Sequence, residues 1–304
     1  MKVLIGVDGS SGSFEAIRQA VSLLAPDRDQ VGLFYSPPEF QLRSDAHLED
    51  ATVERARTAL ARAVYDEARG KLPEALRGSV HEITGTANAR HGLVAAADEW
   101  HADLIALGAR GIGGVKELLL GSVAQSVARE ASVPVLIVRP RKDARPLRLL
   151  LAADGAAPSR HAAEMLGRCT WPSQATGRII TVIEPLLAGE VPDWLAKHVR
   201  DADTEAIAQA WRKEHEAERR SKREEMVRLA TTLPAPFQSQ EPLVAEGNAA
   251  EEILKAIAQL QIDLVVVGAR DLGRWERWLM GSTSEKVLAH APCSVLVVRG
   301  RDKS

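Results

Sequence analysis

The chain repeats itself. The segment Ala102-Asp103-Leu104-Ile105-Ala106-Leu107-Gly108-Ala109-Arg110 returns as Ile262-Asp263-Leu264-Val265-Val266-Val267-Gly268-Ala269-Arg270, at a shift of 160 residues (103 to 263). The same shift carries Leu120-Gly121-Ser122 onto Met280-Gly281-Ser282 and Val135-Leu136-Ile137-Val138-Arg139 onto Val295-Leu296-Val297-Val298-Arg299. One supersecondary plan is therefore used twice, and any fold written for the first copy must also serve the second. Nearer the start, Leu4 to Gly9 matches Leu150 to Gly155 at a shift of 146 (8 to 154), so the second copy holds 14 additional residues between its two matching blocks. They fall between Asp203 and Thr232, where Trp211 to Arg220 reads as an elongated charged helix. Glu216/Arg220 and Glu218/Lys222 stand there at a favourable helical spacing. Such a block is first a solvated face and second a partner-binding helix. Between the copies, Arg139 to Pro146 is polar and bracketed by prolines, which is a linker composition. The 304 residues exceed a typical domain of roughly 100–150, so two domains are expected, at 1–142 and 143–304.

Within each copy short apolar runs alternate with helical patterns. The first copy predicts strands near 2–8, 30–36, 79–84, 103–108 and 134–139, with helices near 12–25, 47–70, 88–101 and 121–131. In the second copy strands are predicted near 147–153, 177–183, 239–245, 263–268 and 294–299. Leu264 to Val267 and Val295 to Val298 are apolar at consecutive positions, the pattern of a strand covered on both faces. The fold class that follows is α/β, with two tandem doubly wound domains, each holding a five-stranded parallel sheet. In such a sheet the ligand crevice lies beyond the carboxyl ends of the strands, where the strand order reverses. Asp8 and Gly108, and their counterparts Asp154 and Gly268, should face it.

A net charge of −2 with 26% charged residues shows no concentrated basic excess, so no nucleic-acid partner is expected. No run approaches the roughly 20 apolar residues that span a bilayer, and the first residues are too short an apolar stretch for a secretion signal. The expected address is the cytoplasm, with no membrane partner. Cys169 and Cys293 lack paired spacing and read as small core residues. The eight histidines show no i, i+4 pair, so no metal site is proposed.

After the fourth strand the first copy runs from Gly108 through Gly111, Gly113 and Gly114 to Gly121-Ser122. Glycines permit positive φ and close backbone approach, which lets main-chain amides hold an anion. Gly121-Ser122 opens the last helix, whose N-terminus adds free amides and a partial positive charge. A structural alternative stands beside this one: Ser122 with Gln125, and Ser282 with Glu285, fit a capping box that merely starts a helix. The loop is not a P-loop, since no Gly-Lys-Ser/Thr follows, and it is not the dinucleotide fingerprint, which follows the first strand.

Gly108, two residues, Gly111, nine residues, then Gly121-Ser122 resembles the ATP-binding signature of the universal stress protein family. Val7-Asp8-Gly9-Ser10, Asp103-Leu104-Ile105 and Val133-Pro134-Val135-Leu136 resemble its other marks, over essentially the whole chain and twice. The resemblance implies an adenine nucleotide alpha-hydrolase-like fold. It also implies that Asp8 contacts the adenosine moiety and that Gly108, Gly111, Gly121, Ser122 and Val123 line the ribose and phosphates. In the second copy the same positions are Asp154, Gly268, Gly281, Ser282 and Thr283. The ligand it implies is ATP, with AMP or ADP as related adenine nucleotides and Mg²⁺ allowed alongside ATP. One-copy members of the family commonly dimerise through their last strands, so Val135 to Val138 and Val295 to Val298 would pair within this chain as a pseudo-dimer. A homodimer of that unit is the further assembly the resemblance allows.

The second copy departs at one position, where Asp271 replaces the middle glycine. Asp tolerates the left-handed backbone, but a carboxylate about 5 Å from a phosphate repels it by roughly 3 kcal/mol at an effective dielectric near 20. Arg270, Arg274 and Arg277 offset part of this. The expectation is an asymmetric protein with its competent site in the first copy. Three functions compete: a nucleotide-dependent stress-response regulator, a slow ATPase or self-phosphorylating enzyme, and an interaction module with vestigial sites. The residues offer the enzyme little, because no base is paired with a nucleophile near the loop and no magnesium cluster exists beyond Asp8. No catalytic residue is assigned.

Overall fold

The computed structural model describes residues 1–38, 50–85, 88–111, 120–141, 143, 145–184, 202–269 and 280–299. The first half runs β1 (Lys2–Gly6), α1 (Ser11–Val21), β2 (Gln30–Tyr35), α2 (Asp50–Gly70), α3 (Glu74–Arg77), β3 (His81–Thr84), α4 (Ala89–Glu99), β4 (Leu104–Gly108), α5 (Ser122–Glu130) and β5 (Val135–Val138). The second runs β6 (Arg148–Ala152), α6 (Ala157–Arg168), β7 (Thr176–Ile183), α7 (Ala202–Thr232), a 3₁₀ turn at Ala235–Phe237, β8 (Leu243–Glu246), α8 (Ala249–Leu260), β9 (Leu264–Ala269), α9 (Ser282–His290) and β10 (Ser294–Arg299). All ten predicted strands form. The largest displacement is β8, which starts at Leu243, after the 3₁₀ turn at Ala235–Phe237 and a bend at 238–240. Residues 47–49 of the second predicted helix lie outside the described residues, and the short α3 had no signal in the sequence.

The ten strands make one sheet in the order β3-β2-β1-β4-β5-β10-β9-β6-β7-β8. Within each half the pairing is parallel, and the halves join through β5 and β10, which run antiparallel with Leu136 opposite Leu296. Strand order reverses between β1 and β4, and again between β6 and β9, which fixes one switch point per half.

Side chains alternate across the strands. Val3 and Ile5 join Ile17 of α1 and Tyr65 of α2 on one face, while Leu4 joins Leu93 of α4 and Val127 of α5 on the other. Leu149 and Leu151 meet Leu166 and Met226 in the same way, and Leu150 meets Ile257 and Val287. Both faces are therefore covered, as the unalternated apolar runs require. Asp103 accepts the Lys2 amide at 2.8 Å, and its counterpart Asp263 accepts the Arg148 amide at 2.9 Å. A carboxylate at the start of the fourth strand of each copy thus satisfies the first amide of the neighbouring strand.

Three sequence expectations are corrected. Among the described residues neither Glu216/Arg220 nor Glu218/Lys222 is an ion pair. Instead Arg219 and His215 reach Glu246 at 3.0 Å each, and Lys222 reaches Glu225 at 3.0 Å. Polar side chains of α7 thus reach the end of β8 and do not serve the helix alone. The supposed linker is also anchored: Arg145 pairs with Asp263 at 2.7 Å and Arg141 with the same carboxylate at 3.4 Å. Finally, Ser122 and Ser282 are not the capping residues, as the next subsection shows.

Candidate functional site

One residue beyond the end of β1, Val7 is still held by its amide on Phe34 O at 2.8 Å, and the chain then turns through Gly9 at φ +82° into α1. That positive φ is the one place in this turn where glycine's freedom is required. Asp8 sits at the bend. Its Oδ1 accepts from the Ser10 amide at 2.9 Å and from Ser10 Oγ at 2.6 Å, while Ser10 Oγ accepts the Ser13 amide at 3.2 Å and caps α1. The carboxylate is therefore oriented by the cap of the helix that follows it.

The turn after β4 approaches from the neighbouring strand. Ala109 N donates to Val138 O at 2.8 Å, and Gly121 N returns to Ala109 O at 2.8 Å, so the start and finish of the glycine segment are stitched together. Residues 112–119 lie outside the described residues. Gly108, Gly111 and Gly121 do not owe their identity to positive φ, which among the described glycines occurs only at Gly9, Gly155 and Gly247. Their reason is steric. A Cβ on Gly108 would lie 2.8 Å from both the carbonyl carbon and the oxygen of Gly12, where α1 crosses the end of β4. A Cβ on Gly111 would overlap Asp8 Oδ2 and lie 3.4 Å from Asp8 Cγ. A Cβ on Gly121 would stand 3.2 Å from Ala109 O, beside the stitch just described.

Gly121, with an extended backbone, is the N-cap of α5, and no side chain caps that end. The bond from Gln125 N at 2.9 Å goes to the Gly121 carbonyl, so the capping box expected of Ser122 does not form. First-turn amides without a side-chain cap are a ready anion site.

These parts enclose a cavity of about 1000 Å³. Asp8, Gly108, Gly111, Gly121, Ser122 and Val123, the six residues expected in the first copy, all line it. Residues not anticipated complete it: Phe34, Tyr35, Leu93 and Leu107 supply an apolar wall, and Arg110 lies on the turn side. A signal for Phe34 and Tyr35 existed, since they end the strand beside β1 and must reach the same rim. The Tyr65 hydroxyl donates to Ile83 O at 2.8 Å and its ring meets Tyr35 edge-on at 6.3 Å. Burial, and then the negative charge of Asp8, push the Tyr35 hydroxyl above the ordinary range, so it stays protonated and can donate.

The sequence profile of the Universal stress protein family matches residues 1–139 and, a second time, 147–299. The chain belongs to the universal stress protein family. A universal stress protein of Mycolicibacterium smegmatis is 28% identical over 312 residues, covering 98% of this chain and 97% of its own length. The universal stress protein in the QAH/OAS sulfhydrylase 3′ region of Thermus aquaticus is 34% identical over 154 residues, which is 50% of this chain and 97% of that one. The crystal structure of a universal stress protein from Archaeoglobus fulgidus shares the fold, with a TM-score of 0.63 at 20% identity and 98% of each chain covered.

The second half of this universal stress protein repeats the frame with altered fittings. Asp154 Oδ1 accepts the Ala156 amide at 2.9 Å, and Gly155 turns at φ +83°. Ala156 stands where Ser10 does, so α6 has no side-chain cap and Asp154 loses the hydroxyl bond that Asp8 enjoys. Gly268 is packed against the first turn of α6, as Gly108 is against that of α1, with a Cβ placed there 2.5 Å from Pro158 C and O. Gly281 is the N-cap of α9, and Ser282 and Thr283 open the helix without a side-chain cap, so this capping box is absent too. The long α7 adds contacts at the rim: Lys222 Nζ donates to Asp154 O at 3.3 Å, and Glu225 Oε1 lies against Gly155. In the first half the corresponding neighbour of Gly9 is Val64, 3.8 Å from the Cβ position. Arg270, Asp271, Arg274 and Arg277 lie outside the described residues.

Cys169 and Cys293 are buried and unpaired, and burial pushes both thiols up to about 12, which makes them poor nucleophiles. Among the described residues no group of three His, Cys, Asp or Glu side chains gathers as a metal site, and no helix is long and apolar enough to cross a membrane.

Proposed function

We propose that this universal stress protein binds adenine nucleotide, ATP foremost, in the cavity of its N-terminal half and acts as a nucleotide-dependent stress-response regulator. The observation that supports this most is the convergence of Asp8 with Gly108, Gly111, Gly121, Ser122 and Val123 on one cavity. Each part suits one part of the ligand. The apolar wall of Phe34, Leu93 and Leu107 accepts a flat base, and Asp8 accepts hydroxyl or amino protons. The amides at the start of α5 face the phosphates. Asp8 is the only carboxylate lining the cavity among the described residues, so Mg²⁺ would arrive with ATP and not on a protein cluster of its own.

Bound nucleotide regulates only if it favours one state of the chain over another. The two strands that join the halves provide a route, because β5 carries the carbonyl that holds the turn and pairs directly with β10. We assign the domains to 1–142 and 143–304, the protein to the cytoplasm, and weaker nucleotide binding to Asp154, Gly268, Gly281, Ser282 and Thr283. Loss of the Ser10-type hydroxyl at Ala156 supports the asymmetry. Calorimetric titration with ATP tests this reading: one dominant site is expected, and two equal sites or none would overturn it. Denaturing protein purified without added nucleotide and assaying the supernatant for adenine compounds tests the ligand class directly.

A further inference from the structure

The inward stripe of α7 changes character at the rim of the second half. Met226 is fully buried and belongs to the same core as Leu149 and Leu151 of β6. Lys222, Arg219 and His215 stand four, seven and eleven residues before it, on the same face of the helix. Arg219 and His215 reach Glu246, the last residue of β8, while Lys222 Nζ donates to Asp154 O at 3.3 Å and to Glu225 Oε2 at 3.0 Å. Gly155 leaves room for this seat, since a Cβ there would overlap Glu225 Oε1 and stand 2.9 Å from Glu225 Cδ. Arg160 of α6 takes the Gly155 carbonyl. The turn that carries Asp154 is thus gripped through its main chain by basic side chains from two helices. The first-half turn is held differently. Ser10 bonds Asp8 through both its amide and its hydroxyl and caps α1, and α2 meets Gly9 with the apolar side chain of Val64. Ala156 supplies Asp154 with the amide bond, at 2.9 Å, but brings no hydroxyl and no cap.

We propose that Lys222 of α7, seated by Glu225, is a positioning residue for Asp154: it holds the second-half turn from outside, in place of the helix cap that Ser10 provides for Asp8. The link to ligand rests on the reading of Asp154 as part of the weaker, second-half nucleotide site. The inserted helix then decides when that half is ready. Asp154 is in place while α7 is seated, and a ligand on Asp154 in turn favours the seated helix. The grip is ionic and partly open to water, with the Lys222 and Glu225 side chains 35% and 37% exposed, so salt screens it and its effect is a few-fold. If Lys222 made only a surface pair on α7, its loss would leave the turn unchanged.

The test is hydrogen exchange at the Ala156 amide, which Asp154 Oδ1 accepts, followed by NMR in the full chain with the Ser10 amide as internal reference. Lys222→Met should speed exchange at Ala156 by about fivefold and leave Ser10 within about twofold, while Lys222→Arg should hold both near wild type. Raising the salt should move the wild type in the same direction as Lys222→Met, a readout that needs no variant to fold. Ala156→Ser installs the first-half cap, and in that background Lys222→Met should change exchange at position 156 by less than about twofold. A second arm titrates adenosine into Asp8→Ala protein, whose first-half site is disabled. Adding Lys222→Met there should weaken the remaining binding by about fivefold. Unchanged exchange at Ala156, equal acceleration at Ala156 and Ser10, or adenosine binding that Lys222→Met does not move would overturn the proposal and leave the nucleotide reading standing. Faster exchange at Ala156 alone, with no adenosine bound by Asp8→Ala protein, would uphold the role of Lys222 in the turn and overturn the nucleotide reading of the second half.

Discussion

Gly111 is the position at which the smallest change should be most costly to the first-half site. A Cβ there overlaps Asp8 Oδ2, and Asp8 cannot swing away freely, because Oδ1 is held by the Ser10 amide at 2.9 Å and by Ser10 Oγ at 2.6 Å. Rotating the carboxylate out of the way breaks both bonds. Bonds to a charged group contribute about 1.5–3 kcal/mol each, part of which water restores at this rim, so Gly111→Ala should cost about 2 kcal/mol of stability. Gly111→Asp, which copies the second half, adds like-charge repulsion with Asp8 and with phosphate, and should reduce ATP affinity by on the order of a hundredfold. Thermal and urea unfolding in a double-mutant cycle with Asp8→Ala isolates the steric part. Once the carboxylate is gone, Gly111→Ala should cost less than about 0.5 kcal/mol. Strict additivity, with Gly111→Ala equally harmful in both backgrounds, would show that the glycine is needed for some other reason.

Gly108→Ala and Gly268→Ala push a methyl into backbone that has no rotamer to yield, at 2.8 Å from Gly12 and 2.5 Å from Pro158. Each should lose about 1–3 kcal/mol in urea unfolding, and a neutral result at either would refute the packing account. Leu136→Ala removes half of a fully buried pair with Leu296 across the join between the halves, and should cost about 2–5 kcal/mol in the same assay. A third prediction concerns acid. Burial alone would raise the pKa of Asp29 and Asp103, but the bonds from the α-amino group and the Ala25 amide, and from Arg168 and the Lys2 amide, outweigh it and hold both below the ordinary range. Their stabilisation is complete above the unfolded value of about 4 and disappears as pH falls through the lower folded values. Asp103→Asn should therefore flatten the fall of the melting midpoint between about pH 5 and pH 2, and an unchanged slope would contradict this.

The fold was legible because its signals were redundant. Leu264 to Val267 is apolar without alternation, the repeat supplied a second copy of every strand, and the structure covers both sheet faces as that pattern demands. The cavity residues on matching motifs were legible too, since strand ends beside a switch point share a rim. What the sequence hid were three-dimensional reasons. Gly108 and Gly111 read as residues of unusual φ, yet neither has it. One admits the Gly12 backbone and the other admits the Asp8 carboxylate, approaches that involve partners about a hundred residues away in sequence. Ser122 matched a capping box, but the preceding Gly121 took the cap position, which left the amides uncapped. The i, i+4 pairs of α7 were outcompeted by Glu246 at the end of β8, a residue the helical spacing cannot see. Arg139 stood in a segment of linker composition and proves buried, because the antiparallel join of β5 and β10 brings the second half over it.

The central claim is that the cavity between Asp8 and the start of α5 is a nucleotide site. A crystal of the full chain grown or soaked with millimolar ATP tests it most directly. Density for the base against Phe34 and Leu93, with phosphates at the amides of Ser122 and Val123, is the outcome the account predicts. An ordered turn with that cavity empty, or filled by the protein's own side chains at saturating ATP, would contradict it.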